Sequence, residues 1–387
     1  MCIGLLLCEI VARLIFPLPR GYFLFLPNST ERLHVPAGLV SNVPSIAKHV
    51  ANAQGIRGDP FSPEQQYRII TIGGSTTACR TLDGPQTWPG RLQTILAERK
   101  SLPRVWVGNL GKDGLNTRHH LVTLSRALPQ LPKIDAVIFM VGVNDLMGRL
   151  AQDTQYMPMS LAQIENEPGI FSRTFDATPP EAGLTPWYRQ LGLWRIAHRV
   201  RSTGRALFFP KPERALANEL AAARLHRRQA AVIRSHLPDL DSALGEYEQN
   251  LKALIQRGRA QGWRMIFLTQ PALWKAAMTP AEENVLMFGI VGASVREATE
   301  YYSSQAMAEG MARYNETLVR VCREQGVECF DLAGKLPSNL SVYFDDCHFT
   351  VSGADQVAQL VAAYLLEKPP FSRSGVPQPW EGSEERR

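Results

Sequence analysis

A chain of 387 residues, 45% apolar and 20% charged, is globular rather than disordered and can bury a large core, as one elaborated domain or two small ones. The formal charge of +6 is local: residues 189–234 hold 11 Lys/Arg against Glu213 and Glu219, which leaves the remainder slightly acidic, and no nucleic-acid partner is expected. Six cysteines without a Cys-x-x-Cys spacing exclude a paired zinc site.

In chain order, the first feature is the apolar run Cys2 to Cys8, stopped by Glu9, with a second patch interrupted by Arg13 before Pro17 and Pro19. It falls short of the roughly 20 apolar residues needed to span a bilayer. It also lacks the basic front end of a signal peptide. Residues 1–20 therefore read as the last turns of an anchor or as an apolar helix docked on the domain, with 21–66 a pre-domain segment.

The next stretch, Arg68-Ile69-Ile70-Thr71-Ile72-Gly73-Gly74-Ser75-Thr76-Thr77, is central. Ile69 to Ile72 reads as a strand covered on both faces, where alternation with polar residues is not required. Gly73 and Gly74 allow a tight turn at its carboxyl end, where open α/β sheets place their ligands. Ser75 then opens a helix, as an exposed nucleophile or as an ordinary N-cap. Neither the Walker loop nor the dinucleotide fingerprint fits these residues, so no cofactor is expected.

A helix from Trp88 to Arg99 precedes a strand over Val105 to Asn109, and a helix from Asn116 to Leu128 precedes a strand over Ala136 to Val141. After an insertion of roughly 147–240, expected to be mostly helical, come a helix from Tyr247 to Gly262 and a strand over Met265 to Thr269. A helix from Ala306 to Glu324, a strand over Val327 to Asp331 and a helix from Ser352 to Leu366 complete a domain spanning 67–368. Five strands alternating with helices predict an α/β fold with a parallel sheet covered on both faces. The tail, 369–387, is expected to be disordered.

Polar residues collect where strands end: Asn109-Leu110-Gly111-Lys112-Asp113-Gly114 after the second, Gly142-Val143-Asn144-Asp145 after the third, and Asp345-Asp346-Cys347-His348 before the last helix. Serine hydrolysis needs a base, for which His348 serves, and a carboxylate to orient it, for which Asp345 serves. It also needs preorganised donors for the oxyanion, available from the Ser75 and Gly114 N–H groups and the Asn144 amide.

These four blocks, in this order, resemble those of the SGNH hydrolase superfamily, the GDSL-like esterases and lipases. By motif, Ser75 matches the nucleophile, Gly114 and Asn144 the oxyanion residues, and Asp345 with His348 the Asp-x-x-His block. The first block reads Gly-Gly-Ser where the family name promises Gly-Asp-Ser. The resemblance implies a three-layer, flavodoxin-like fold and hydrolysis of esters without a metal. The segment Asn52 to Gly58 and the leader resemble those of membrane-anchored bacterial members, which implies a domain held outside the cytoplasm at the inner membrane.

Three functions compete. They are hydrolysis of a small-molecule, carbohydrate or lipid ester; acyl transfer to a carbohydrate hydroxyl by the same groups; and non-catalytic binding of a polymer, which would not require Ser75, Asp345 and His348 together. Several smaller features stay open. Cys322 and Cys329 are a bridge or two buried thiols. His119 and His120 suggest a metal pair, but adjacent helical residues face different ways and a solvated pair is the expectation. Cys79 and Cys347 are read as packing residues. Trp187 to Arg201 reads as a basic amphipathic helix, lying against its own domain or in a membrane interface.

Overall fold

The apolar runs after Gln66 become five parallel strands: β1 (Tyr67–Gly73), β2 (Val105–Asn109), β3 (Ala136–Met140), β4 (Arg264–Leu268) and β5 (Glu328–Phe330). The structure is a computed structural model that describes residues 2–15, 18–35, 45–99, 102–183, 187–194, 196–197, 215–292, 299–368 and 371. The strand order is β2-β1-β3-β4-β5. This is the flavodoxin-like order, whose switch point lies between β1 and β3. Each adjacent pair is parallel, with Gly73 opposite Met140 at that switch point.

The helices are α1 (Cys2–Ile15), α2 (Ser75–Ala78), α3 (Trp88–Ala97), α4 (Thr117–Val122), α5 (Val143–Gln152), α6 (Ala215–Arg228), α7 (Asp241–Ala260), α8 (Ser304–Gln325) and α9 (Val351–Leu366). On one face of the sheet α3 packs on α9, and on the other α7 packs on α8, α4 and α5. Val137, Ile138, Phe139 and Met140 have no accessible surface. Burial of each such side chain contributes about 1.5–3 kcal/mol. The Phe139 ring stacks on Phe267 of β4 at 4.9 Å. The layered α/β architecture read from the sequence is the one observed.

Smaller elements depart from the expectation. Thr30–His34 and Ile46–Val50 pair as an antiparallel ribbon, and Val232–Arg234 pairs in parallel with Glu300–Tyr302. Within the insertion, besides α6, Leu161–Asn166 and Pro168–Thr174 are short helices. The single amphipathic helix expected from Trp187 is broken: a 3-10 turn covers Trp187–Gln190 and a new helical stretch begins at Gly192. The break has a distant cause. Glu9 of α1 accepts hydrogen bonds from Gly192 N at 2.8 Å and Leu193 N at 3.0 Å, capping the second piece. The expected arginine face at Arg195, Arg199 and Arg201 lies outside the described residues.

The leader forms α1, which buries Ala12 and exposes Leu7, Ile10, Val11 and Leu14, and no described helix is long and apolar enough to cross a membrane. Cys322 and Cys329 are free thiols. Of the tail, only Phe371 is described; it is buried, edge-on to Tyr67 at 4.9 Å, and the rest lies outside the described residues.

Candidate active site

The chain leaves β1 at Gly73 and enters α2 at Ser75, with Gly74 at the N-cap position. Ser75 is therefore not the cap. Its half-buried hydroxyl makes no hydrogen bond to any described residue. The turn behind it is held by its own carbonyls, each of which accepts a bond from a separate element. Trp88 Nε1 donates to Thr76 O at 3.2 Å, Asn109 Nδ2 to Thr77 O at 3.0 Å, and Arg57 Nη1 to Ala78 O at 3.0 Å. Cys79 then ends α2 in the left-handed conformation at φ 45°. That conformation costs a non-glycine residue roughly 1–3 kcal/mol.

The second and third blocks close on this turn. Asn144 sits in the first turn of α5, after β3, and its Nδ2 donates to Leu115 O at 2.9 Å, which leaves the second amide proton unspent. A β-carbon at position 74 would collide with that same Nδ2 and lie 3.2 Å from Leu115 O. The second glycine of the Gly-Gly-Ser block thus makes room for Asn144. Gly114 adopts φ +72°, and the space a side chain would need there is taken by Arg173 Nη2. The N–H groups of Ser75 and Gly114 have no acceptor among the described residues.

The fourth block is a tight loop closed by the Tyr343–Phe349 bridge and followed by the Thr350 cap of α9. Asp345 has no accessible surface; its Oδ1 accepts from Cys347 N at 3.0 Å and His348 N at 2.9 Å, and its Oδ2 meets His348 Nδ1 at 2.7 Å. Burial works against a charge on His348, yet the Asp345 carboxylate, through its charge and its hydrogen bond, holds the imidazole pKa above its ordinary value, with Asp113 adding to the effect. The ring lies between Phe344, stacked at 5.7 Å, and Phe288, edge-on at 5.8 Å. Its Nε2 has no hydrogen-bond partner among the described residues, so it and the Ser75 hydroxyl are both unspent and are not bonded to each other.

An imidazole held on one nitrogen by a buried carboxylate can take a proton on the other. The ligand atoms of Asp345, Cys347 and His348 lie within 4.8 Å of one another, a grouping that could hold a metal ion. Asp345 and His348 are spent on each other, however, and burial raises the Cys347 thiol pKa well above its usual range, which disfavours the thiolate a metal would need.

Other sequence candidates sit differently. His119 and His120 are buried, not solvated: His119 Nδ1 meets Asn116 Oδ1 at 2.6 Å in a capping box, and burial lowers both rings to about 3. Burial raises the Asp145 carboxyl to about 7, although Thr117 donates to its Oδ1. A cleft of about 500 Å³ lies between the N-terminal ribbon and the start of α3, lined by Lys48, Arg57, Asp83 and Gln93 among others. Two of its lining residues, Arg57 and Asn109, bond the carbonyls of Ala78 and Thr77 behind Ser75.

Sequence reasoning passed over the supports. Thr76 Oγ1 donates to Gln270 Oε1 at 3.1 Å, and Gln270 is itself pinned by Asn315 at both backbone groups. The same loop after β4 grips the fourth block, with Leu273 N donating to Asp346 O and Trp274 Nε1 to Asp346 Oδ1, both at 2.8 Å. Polar residues just past β4 were the available signal.

The model of the GDSL-like lipase/acylhydrolase family matches residues 71–356. No curated protein matches the chain. Among solved structures, similarity extends to LAE5, an alpha/beta hydrolase enzyme from the metagenome of Lake Arreo, Spain, at 17% identity, covering 78% of this chain and 96% of that one with TM-score 0.40. It extends also to Axe2, an acetylxylan esterase from Geobacillus stearothermophilus, at 14% identity over 81% of this chain and 98% of that one, TM-score 0.40. A putative lipolytic protein of the G-D-S-L family from Desulfitobacterium hafniense DCB-2 is similar at 10% identity, covering 78% and 100%, with TM-score 0.39. The family match spans most of the sheet and all four polar blocks, so the chain belongs to the GDSL-like lipase/acylhydrolase family and is a hydrolase acting on esters.

Proposed function

We propose that the protein cleaves esters through a covalent acyl-enzyme formed on Ser75. Ser75 Oγ attacks the ester carbonyl while its proton passes to His348 Nε2, and Asp345 fixes the imidazole tautomer and stabilises the imidazolium. The Ser75 and Gly114 N–H groups and the free Asn144 amide proton receive the charge that develops on the carbonyl oxygen. The tetrahedral intermediate collapses, the leaving alcohol takes the proton from His348, and water then releases the acid by the same steps in reverse. Catalytic hydrogen bonds are often long without substrate and tighten when it binds, consistent with an open Ser75–His348 pair.

The observation that carries this reading is the buried Asp345–His348 hydrogen bond with Nε2 left unspent, in a block gripped by the same loop after β4 that accepts from Thr76, next to the unspent Ser75 hydroxyl. Ser75→Ala should lower turnover of any ester the wild type cleaves by about four to six orders of magnitude with an unchanged fold. Retained turnover would refute the role of Ser75. Product analysis with and without a sugar acceptor separates hydrolysis from acyl transfer, since both proceed through one acyl-enzyme.

A second part of the proposal concerns location. α1 buries Ala12 and exposes Leu7, Ile10, Val11 and Leu14, the last 77% accessible, while Trp187 near the segment it caps is 74% accessible. An apolar helix face that caps the start of a segment basic in sequence suits the interface of an anionic bilayer. We infer that the domain rests on such a surface, with the outer side of a bacterial inner membrane as the proposed setting.

A further inference from the structure

Gly114 is a glycine for two reasons: its positive φ, and the guanidinium of Arg173, which fills the space a side chain would need. Arg173 comes from the Pro168–Thr174 helix of the insertion. That helix is anchored by Ile170, Phe171 and Thr174, all buried, and is capped by Glu167, which accepts from Gly169 N at 3.2 Å. Arg173 lies off the buried face and is exposed.

The neighbouring cations are committed. Lys112 Nζ donates to Leu24 O and Thr174 O, each at 3.1 Å, and to Asp176 Oδ1 at 2.7 Å. Arg118 forks onto Glu246 at 2.5 and 2.6 Å. Arg173 has neither a hydrogen bond nor an ion pair to any described residue. Its charge is nonetheless felt locally: after burial, it is the largest influence depressing the His119 imidazole pKa. The nearest carboxylates, Asp113 and Asp176, are paired with Arg80 and Lys112, and the position is close to the reacting groups, because the carbonyl of Leu115, next to Gly114, lies against Gly74, which precedes Ser75.

A planar guanidinium pairs bidentately with a carboxylate. One uncompensated positive charge matches one monoanionic group. We propose that Arg173 is a specificity-determining residue, which gives this ester hydrolase a preference for esters bearing a carboxylate near the scissile bond. The proposal rests on the assignment of Gly114 and Ser75 to the reaction site.

The test compares kcat/KM for two pairs of esters that differ only in charge. Phenyl hemisuccinate against phenyl succinamate places the charge on the acyl side, and 4-acetoxybenzoate against 4-acetoxybenzamide places it on the alcohol side. In at least one pair Arg173→Gln should lower the anion-to-amide ratio about tenfold, Arg173→Lys should restore part of it, and added salt should reduce it in the wild type. A ratio unchanged by Arg173→Gln in both pairs overturns the proposal; equal losses on all four esters would assign Arg173 to the oxyanion instead. Binding of the two carboxylate esters to Ser75→Ala, with and without Arg173→Gln, is measured by calorimetry. If the wild type cleaves none of the four, the hydrolytic reading fails while a tenfold binding difference still supports Arg173. If cleavage holds and no binding difference appears, the Arg173 proposal alone fails.

Discussion

Asp345 accepts hydrogen bonds from the His348 ring and two backbone N–H groups, whereas its neighbour Asp346 accepts from Trp274 Nε1 and from Met287 N and Phe288 N. Both are fully buried, but only one touches the imidazole. Asp346 instead pins the loop that carries Phe288 against the ring. The two should separate in a pH profile. A base must be neutral to take a proton, so kcat/KM should rise with pH through the His348 pKa, which Asp345 holds above the ordinary value against the effect of burial. Asp345→Asn removes that charge and leaves the burial. The acid limb should then move to lower pH and the plateau fall about 10⁴-fold. Asp346→Asn should move the limb much less, since Asp346 acts on the imidazole only at a distance and after Asp345 and Asp113, and should cost about 1–3 kcal/mol of stability in a denaturant titration, since backbone donors lose their acceptor. A limb moved by Asp346→Asn and not by Asp345→Asn would reverse the assignment.

Contact between the turn after β1 and the first turn of α5 depends on a missing side chain. Gly74→Asp, which would restore the Gly-Asp-Ser form of the block, puts a β-carbon where Asn144 Nδ2 now lies. It should therefore cost as much as Asn144→Ala, about 10² to 10³ in kcat, with little change in KM. Full activity in the Gly74→Asp protein would show that Asn144 does not work from this position. The sheet and its order of helices were legible because β1, β3 and β4 are covered on both faces and so are written as unbroken apolar runs. Three of the polar blocks were legible because each falls where an apolar strand stops, and the fourth because it falls just before the last helix. The Thr30–His34 and Ile46–Val50 ribbon was not, since only Ala47 and His49 of its second strand turn inward. Nor was the break at Gly192, which depends on Glu9, or the role of Arg173, which depends on a glycine far from it in sequence. Local pattern carries no trace of such contacts. The His119–His120 pair misled for a related reason, because His119 is used by its own helix cap.

At the scale of the whole molecule, charge and apolar surface are unevenly placed. The basic excess falls in residues 189–234, and the exposed side of α1 is apolar. Glu9 links the two regions through Gly192 and Leu193; its carboxyl is held down to about 2, chiefly by the hydrogen bond from Arg13. The protein should therefore bind vesicles containing anionic lipid, more weakly as salt rises. A chain lacking residues 1–20 should still bind them. Replacing Arg195, Arg199 and Arg201 with Gln should reduce the binding while hydrolysis of a small soluble ester changes little. Failure to bind anionic vesicles at low salt would contradict the surface proposed.

The central claim is that Ser75 is a nucleophile activated by His348, and a fluorophosphonate probe tests it most directly. Mass spectrometry of the digested adduct should place one phosphonyl group on Ser75 in the wild type, at a rate that falls sharply in His348→Ala and is lost in Ser75→Ala. Labelling on another residue, or undiminished labelling of Ser75 without His348, would contradict the account.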